Sequence, residues 1–289
     1  MNTLTRLTVT PLSPALGAEI SGVDLRRDLT PDEVEQIRGA WQKYIVLVIR
    51  GQDLTLERQK AFAANFGDLG ERKRGKSALA KKVEGIYQTD PHTLLVSNMK
   101  VDGKPIGAFG EGEMWFHIDS GYAEKPYKYT FLYGVELPST GGNTRFVNMY
   151  TAYERLPEDV KRKIAGLKAL HVHEYKRAER VDTSADVSDA PHWVHPLVIR
   201  HPETGRQSLF VDRLMTFRVE DMAHDESETL LNMLFDHSEN PEFIYEHEWQ
   251  LKDLIMWDNR CTIHGRTWFP ETENRLLRRC TVEGGPLSA

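Results

Sequence analysis

The sequence predicts a mainly β protein, α+β in class, with a sandwich or jelly-roll core and a few helices packed outside it. Three observations carry this. Short apolar segments recur through the second half of the chain, separated by turn clusters such as "PSTGG". Only two helical patterns interrupt them there, so strands and helices do not alternate as a doubly wound parallel sheet requires. No Gly-x-Gly-x-x-Gly occurs, which removes the dinucleotide-binding reading.

The elements follow in chain order. "LTPDEVEQIRGAWQKY" reads as a helix, with Thr30 as N-cap, Pro31 at the first helical position and Glu33 closing a capping box. Val34, Ile37, Trp41 and Tyr44 form its apolar stripe. "IVLVIR" (Ile45 to Arg50) is apolar without alternation, the mark of a strand buried on both faces. "LTLERQKAFAANFG" is a second helix, capped by Thr55 and stopped at Gly67. From about 68 to 112 glycine, proline and charge predict a lid or binding loop. "YKYTFLYGVEL", "TRFVNMY", "LKALHVH", "VHPLVIR", "SLFVD", "FIYEHEW", "DLIMWDN" and "LLRRCTV" then read as strands. "TAYERLPEDVKRKIAGL" and "ESETLLNMLFDHSEN" read as helices.

The 289 residues suit a single domain spanning 1–289, and a net charge of −6 argues against nucleic acid as a partner. The one basic cluster, Glu71 to Lys82, is a solvated face or a rim that attracts a small anion. No apolar run approaches a membrane span, and no signal peptide is indicated. Two cysteines, Cys261 and Cys280, make no disulfide framework. The expected setting is therefore cytoplasmic.

The chemistry is concentrated in "GEMWFHIDSGY". On a strand, His117 and Asp119 project to one face, with Trp115 beside them. "MWDNRCTIHGR" brings His264 in a similar apolar setting. Two histidines and one carboxylate form the facial triad of non-haem Fe(II), which leaves positions open for oxygen and a co-substrate. A zinc-type metallohydrolase uses the same ligand types. A non-catalytic jelly-roll binding protein is the third reading.

Two arginines favour the oxygenase. Arg275 and Arg279 share a strand face, whereas Arg278 has the opposite parity. A guanidinium near the metal grips a carboxylate through two parallel hydrogen bonds. 2-Oxoglutarate, which chelates iron through its keto acid, has such a distal carboxylate. Trp115, Phe116, Tyr122 and Trp268 are candidate linings of an apolar pocket or plain core. His171 and His173 read as structural, and His192 and His195 as loop residues.

Five stretches, in order, resemble the taurine catabolism dioxygenase (TauD/TfdA) family. They are "GAEISGVDL", "VLVIRGQDLTLERQKAFAANFGDL", "FHIDSGY", "PSTGGNTRFVNMYTAYERLP" and the pair "MWDNRCTIHGR" and "RLLRRC". The resemblance implies a double-stranded β-helix and a dioxygenase using Fe(II), 2-oxoglutarate and O2. It implies His117, Asp119 and His264 as metal ligands, Thr144 and Arg275 as 2-oxoglutarate anchors, and Arg279 beside the primary substrate. A homo-oligomer, dimer or tetramer, is implied as well. Phe116 stands where the family often has Trp, and Asn143 where Asp is common. Glu71 to Glu113 does not follow the taurine-binding pattern. The expected substrate is thus another small organic anion: an aryloxyalkanoate, an alkyl sulfate, a sulfonate or another carboxylate. Its hydroxylation gives succinate and CO2, and cleaves a C–O or C–S bond where the hydroxyl lands beside oxygen or sulfur.

Overall fold

The computed structural model describes residues 6–71, 90–110, 112–173, 179–180 and 182–289. Two β-sheets form its centre. The larger has seven strands in the order Thr8–Pro11, Ala18–Ser21, Val46–Ile49, Leu254–Asp258, Tyr129–Glu136, Leu276–Val282 and Thr93–Ser97. The smaller has four, in the order Ile244–His247, Thr144–Asn148, Thr262–Arg266 and Met114–His117. Within the larger sheet, Ala18–Ser21 pairs in parallel with Val46–Ile49.

Side-chain alternation decides what each face covers. Val46, Val48, Leu132, Ile255, Trp257 and Leu277 of the larger sheet meet Phe146 and Tyr245 of the smaller in one buried cluster. The sheets therefore face each other across a shared core, as the jelly-roll expectation requires. The opposite face of the larger sheet (Leu47, Ile49, Phe131, Tyr133, Met256) is covered by Ile37 and Trp41 of helix Pro31–Tyr44 and Phe62 of helix Leu56–Ala64. The back of the smaller sheet (Phe116, Val147, Ile263) packs on Leu230, Leu231, Leu234 and Phe235 of helix His224–Ser238.

The first helix begins where its sequence signals. Thr30 caps Glu33 N, and the Glu33 side chain returns to the Thr30 N–H at 2.8 Å. It ends without a glycine. Ile45 takes φ +70°, which costs a β-branched residue about 1–3 kcal/mol. Burial of Ile45 and the hydrogen bond from Trp41 Nε1 to its carbonyl at 2.8 Å hold it there. Trp41 packs edge-on to Phe66 and Phe131, so its truncation to Ala would cost about 3–5 kcal/mol.

Three expectations change in detail. The helix expected over "TAYERLPEDVKRKIAGL" is two, Met149–Glu154 and Glu158–Ile164, because Pro157 lacks the N–H to continue the first. Thr93–Ser97, read as loop, is a strand that buries alternate residues against Leu276–Val282. A small hairpin, Lys100–Val101 with Lys104–Pro105, follows it. Of the lid expected over 68–112, residues 72–89 and 111 lie outside the described residues. His192 and His195, read as loop, sit in strand His192–Pro196 beside Lys168–Val172. Both cysteines are free and buried. No helix among the described residues is long and apolar enough to cross a membrane.

Candidate functional site

One row of side chains crosses the inner face of the smaller sheet. Tyr245 lies opposite Phe146, Phe146 opposite His264, and His264 opposite His117. Two aromatic residues thus lead to two imidazoles whose ring centroids are 4.1 Å apart. Trp257 of the facing sheet closes over His264 at 4.6 Å.

Asp119, two residues beyond His117, reaches the same place. The strand ends at His117 and the chain turns, with Ser120 at φ +57°. One donor atom each from His117, Asp119 and His264 then lie within 4.8 Å of one another, all three residues buried. Thr130 Oγ1 donates to Asp119 Oδ2 at 2.7 Å, and Arg279 Nη1 donates to Oδ1 at 2.5 Å. Behind Thr130, Asn259 Nδ2 donates to its hydroxyl at 2.9 Å, and Trp257 Nε1 holds Asn259 at 2.8 Å. From the other side, buried Asp212 Oδ1 accepts the backbone N–H of Met215 at 2.6 Å. His195 Nε2 meets the Ala123 carbonyl at 2.9 Å.

The protonation states suit a metal. Burial pushes the His117 imidazole below its ordinary value and His264 well below it, so both are neutral at pH 7. Burial alone would raise Asp119, but the Arg279 charge overrides it and holds the carboxyl at about 2. His117 Nδ1 donates to the Trp115 carbonyl at 3.0 Å, which leaves Nε2 with a free lone pair. His264 Nδ1 is buried without a hydrogen-bond partner among the described residues. Two neutral imidazoles and an ionised carboxylate in a dry pocket fit Fe(II), a metal that takes N and O donors.

His201, Asp258 and Cys261 also converge within 4.8 Å. Their atoms are committed elsewhere. Arg260 grips Asp258 at 2.9 and 2.6 Å, His201 Nε2 meets it at 2.9 Å, and Thr204 N–H occupies His201 Nδ1 at 3.2 Å. Burial pushes the Cys261 thiol well up. This cluster is an ion-pair node that ties the barrel together.

The arginines divide as their parity requires. Arg278 faces helix Leu56–Ala64, donating to Gln59 Oε1 at 2.6 Å and the Leu54 carbonyl at 2.8 Å. Arg275 and Arg279 point into the barrel. Arg275 is 2% exposed and gives Nε and Nη2 to the Gly142 carbonyl at 3.1 and 2.8 Å. A Cβ at Gly142 would sit 2.9 Å from Arg275 Nε, and φ there is +66°, so glycine is needed for this approach. Among the described residues no carboxylate pairs with Arg275. Burial, then the charge of Arg266, disfavours its protonated form. A buried guanidinium without a counter-ion is suited to an incoming anion. Thr144 starts the strand two residues beyond Gly142 and lies opposite Arg266. The charge of Arg266 is felt by both Arg275 and His117, which links the two halves of the site.

Other candidates part company. Phe116 packs in the outer core, and Trp268 is 58% exposed. Trp115 and Tyr122 cluster with Met114, Leu214 and Met215. His171 is buried, its Nδ1 3.3 Å from Thr216 Oγ1, and His173 stacks on Tyr122. "GERKRGKS", from Gly70, has phosphate-loop spacing, but a helix rather than a strand precedes it, and 72–77 lie outside the described residues.

The chain is similar in sequence and structure to known proteins. The chain is 33% identical over 287 residues to pentalenolactone F synthase of Streptomyces arenae, covering 94% of this chain and 93% of that protein. It is 33% identical over 284 residues to the alpha-ketoglutarate-dependent 2,4-dichlorophenoxyacetate dioxygenase of Burkholderia sp. (strain RASC), with the same two coverages. The crystal structure of AAD-2 with Mn(II) and N-oxalylglycine superposes with a TM-score of 0.78 at 31% identity, covering 98% of this chain and all of that one. The family model "Taurine catabolism dioxygenase TauD, TfdA family" matches residues 8–281, and the chain belongs to that family.

Proposed function

We propose that the protein hydroxylates a small organic anion at a centre formed by His117, Asp119 and His264. The family is one of oxygenases that use Fe(II), 2-oxoglutarate and O2, which sets aside the hydrolase and binding-protein readings. The observation that carries the site assignment is the convergence of three buried donor atoms within 4.8 Å. When bound, Fe(II) supplies the redox chemistry by which O2 puts one oxygen into succinate and the other into a substrate C–H bond, with loss of CO2.

The chain's own residues bind, orient and exclude water. Arg275 offers its fork, and Thr144 its hydroxyl, to the distal carboxylate of 2-oxoglutarate. Arg279, already against Asp119, has further N–H donors for the acid group of the substrate. Phe146 and Trp257 form a dry floor beneath His264. We read the whole chain as one catalytic domain, since its first and last strands, Thr8–Pro11 and Leu276–Val282, belong to one sheet. Two buried free thiols suit a cytoplasmic, reducing setting.

The dioxygenase relative supports an aryloxyalkanoate as the substrate class to try first. Purified protein with Fe(II), 2-oxoglutarate and O2 is offered aryloxyacetates, alkyl sulfates, sulfonates and simple carboxylates. One anion should give succinate in equal amount to substrate consumed. Succinate at the substrate-free rate with every anion, or coupling only to a neutral compound, would contradict the proposal.

A further inference from the structure

A threonine hydroxyl can donate or accept, and its other partners decide which it offers a ligand. Thr144 is 3% exposed, and its Oγ1 accepts from Trp249 Nε1 at 3.0 Å. An indole N–H only donates. The bond takes one lone pair of Oγ1 and leaves the hydroxyl proton to point elsewhere. A carboxylate is a pure acceptor, so a threonine committed to donating is matched to it.

The Trp249 ring is itself held. Its ring stands edge-on to His247, the centroids 5.0 Å apart at 87°. His247 is fixed at both nitrogens, by the Tyr245 hydroxyl at 2.9 Å and by Asp253 Oδ2 at 3.0 Å. Asp253 is in turn pinned by Arg50 at 2.7 Å and by the Gln250 N–H at 3.0 Å. Strand pairing places Thr144 directly between His247 and Arg266. A chain of contacts thus runs from half-buried Arg50 through buried Asp253 and His247, by hydrogen bonds and then a ring edge, to the tryptophan that grips Thr144.

We propose that Trp249 is a positioning residue for 2-oxoglutarate: its N–H commits the Thr144 hydroxyl to donate to the co-substrate's distal carboxylate. This rests on the reading of Thr144 as an anchor, so the test separates the two. Trp249→Phe keeps a ring and removes the N–H, and Thr144→Val keeps the shape and removes the hydroxyl. Both variants and the double variant are loaded with Mn(II) without oxygen and titrated with 2-oxoglutarate by calorimetry. Trp249→Phe should weaken binding about tenfold, the size of one neutral hydrogen bond, and Thr144→Val at least as much. The double variant should be no weaker than Thr144→Val alone, and Mn(II) affinity should stay at the wild-type value in all three. Wild-type 2-oxoglutarate affinity in Thr144→Val would overturn the anchor reading and the proposal with it. A weakened Thr144→Val beside an unaffected Trp249→Phe would overturn the proposal alone. So would losses that add in the double variant, or a parallel fall in Mn(II) affinity, since either marks Trp249 as general packing.

Discussion

Arg275→Met separates binding from folding at one residue. The wild-type guanidinium is buried, donates twice to the Gly142 carbonyl, and has no carboxylate partner among the described residues. As the anchor of 2-oxoglutarate it would add two charge-assisted hydrogen bonds, each worth about 1.5–3 kcal/mol. Their loss totals about 3–6 kcal/mol, or about two to four orders of magnitude in affinity. Stability should respond quite differently. Methionine leaves the Gly142 carbonyl without these donors, at about 1–3 kcal/mol, and ends the guanidinium's 5.8 Å contact with the Phe269 ring. Against this, a buried unpaired charge is removed, a relief of several kcal/mol. The terms offset, so the ligand-free melting temperature should move by only a few degrees. The assay is calorimetric titration of Mn(II)-loaded protein with 2-oxoglutarate, alongside thermal melts with and without it. The co-substrate should raise the wild-type melting temperature and leave that of the variant unchanged. A variant that binds 2-oxoglutarate within threefold of wild type would refute the reasoning.

Arg279→Ala should raise the KM for the anionic substrate by more than tenfold, while 2-oxoglutarate still binds in anaerobic titration. An unchanged KM would move the substrate anchor elsewhere. Thr30→Ala removes the helix cap and should cost about 1 kcal/mol of stability without altering turnover, read by denaturant melts. Asp258 carries a pH signature. Burial would raise its carboxyl, but Arg260 and His201 hold it below the usual value. A depressed folded-state pKa contributes stability that is complete above the unfolded value of about 3.9 and is lost as pH falls below it. Asp258→Asn should therefore flatten the acid limb of stability between about pH 4 and 2, and an unaltered limb would contradict the assignment.

What the sequence made legible was local and periodic. The capping box at Thr30 and Glu33, the doubly buried strand Val46–Ile49, and the opposed faces of Arg278 and Arg279 all follow from spacing within a few residues. His117 and Asp119 do converge, as their two-residue spacing anticipates, although the strand itself ends at His117. The parts that escaped are non-local. The bond from Trp249 to Thr144 spans 105 residues, and that from Asn259 to Thr130, behind Asp119, spans 129. Thr93–Ser97 was hidden because its partner is the last strand of the chain, and only that pairing makes a short segment a strand. Pro157 was visible, yet the rest of its segment was helical enough to mask the break.

The central claim is that His117, Asp119 and His264 hold the metal to which 2-oxoglutarate binds. Fe(II) followed by 2-oxoglutarate is added to metal-free protein without oxygen, and the visible spectrum is read for the weak charge-transfer band of the chelate. The account predicts a band that saturates at one 2-oxoglutarate per chain and is absent in His264→Ala protein with a native circular dichroism spectrum. Folded wild-type protein without the band, or a band that survives in His264→Ala, would contradict it.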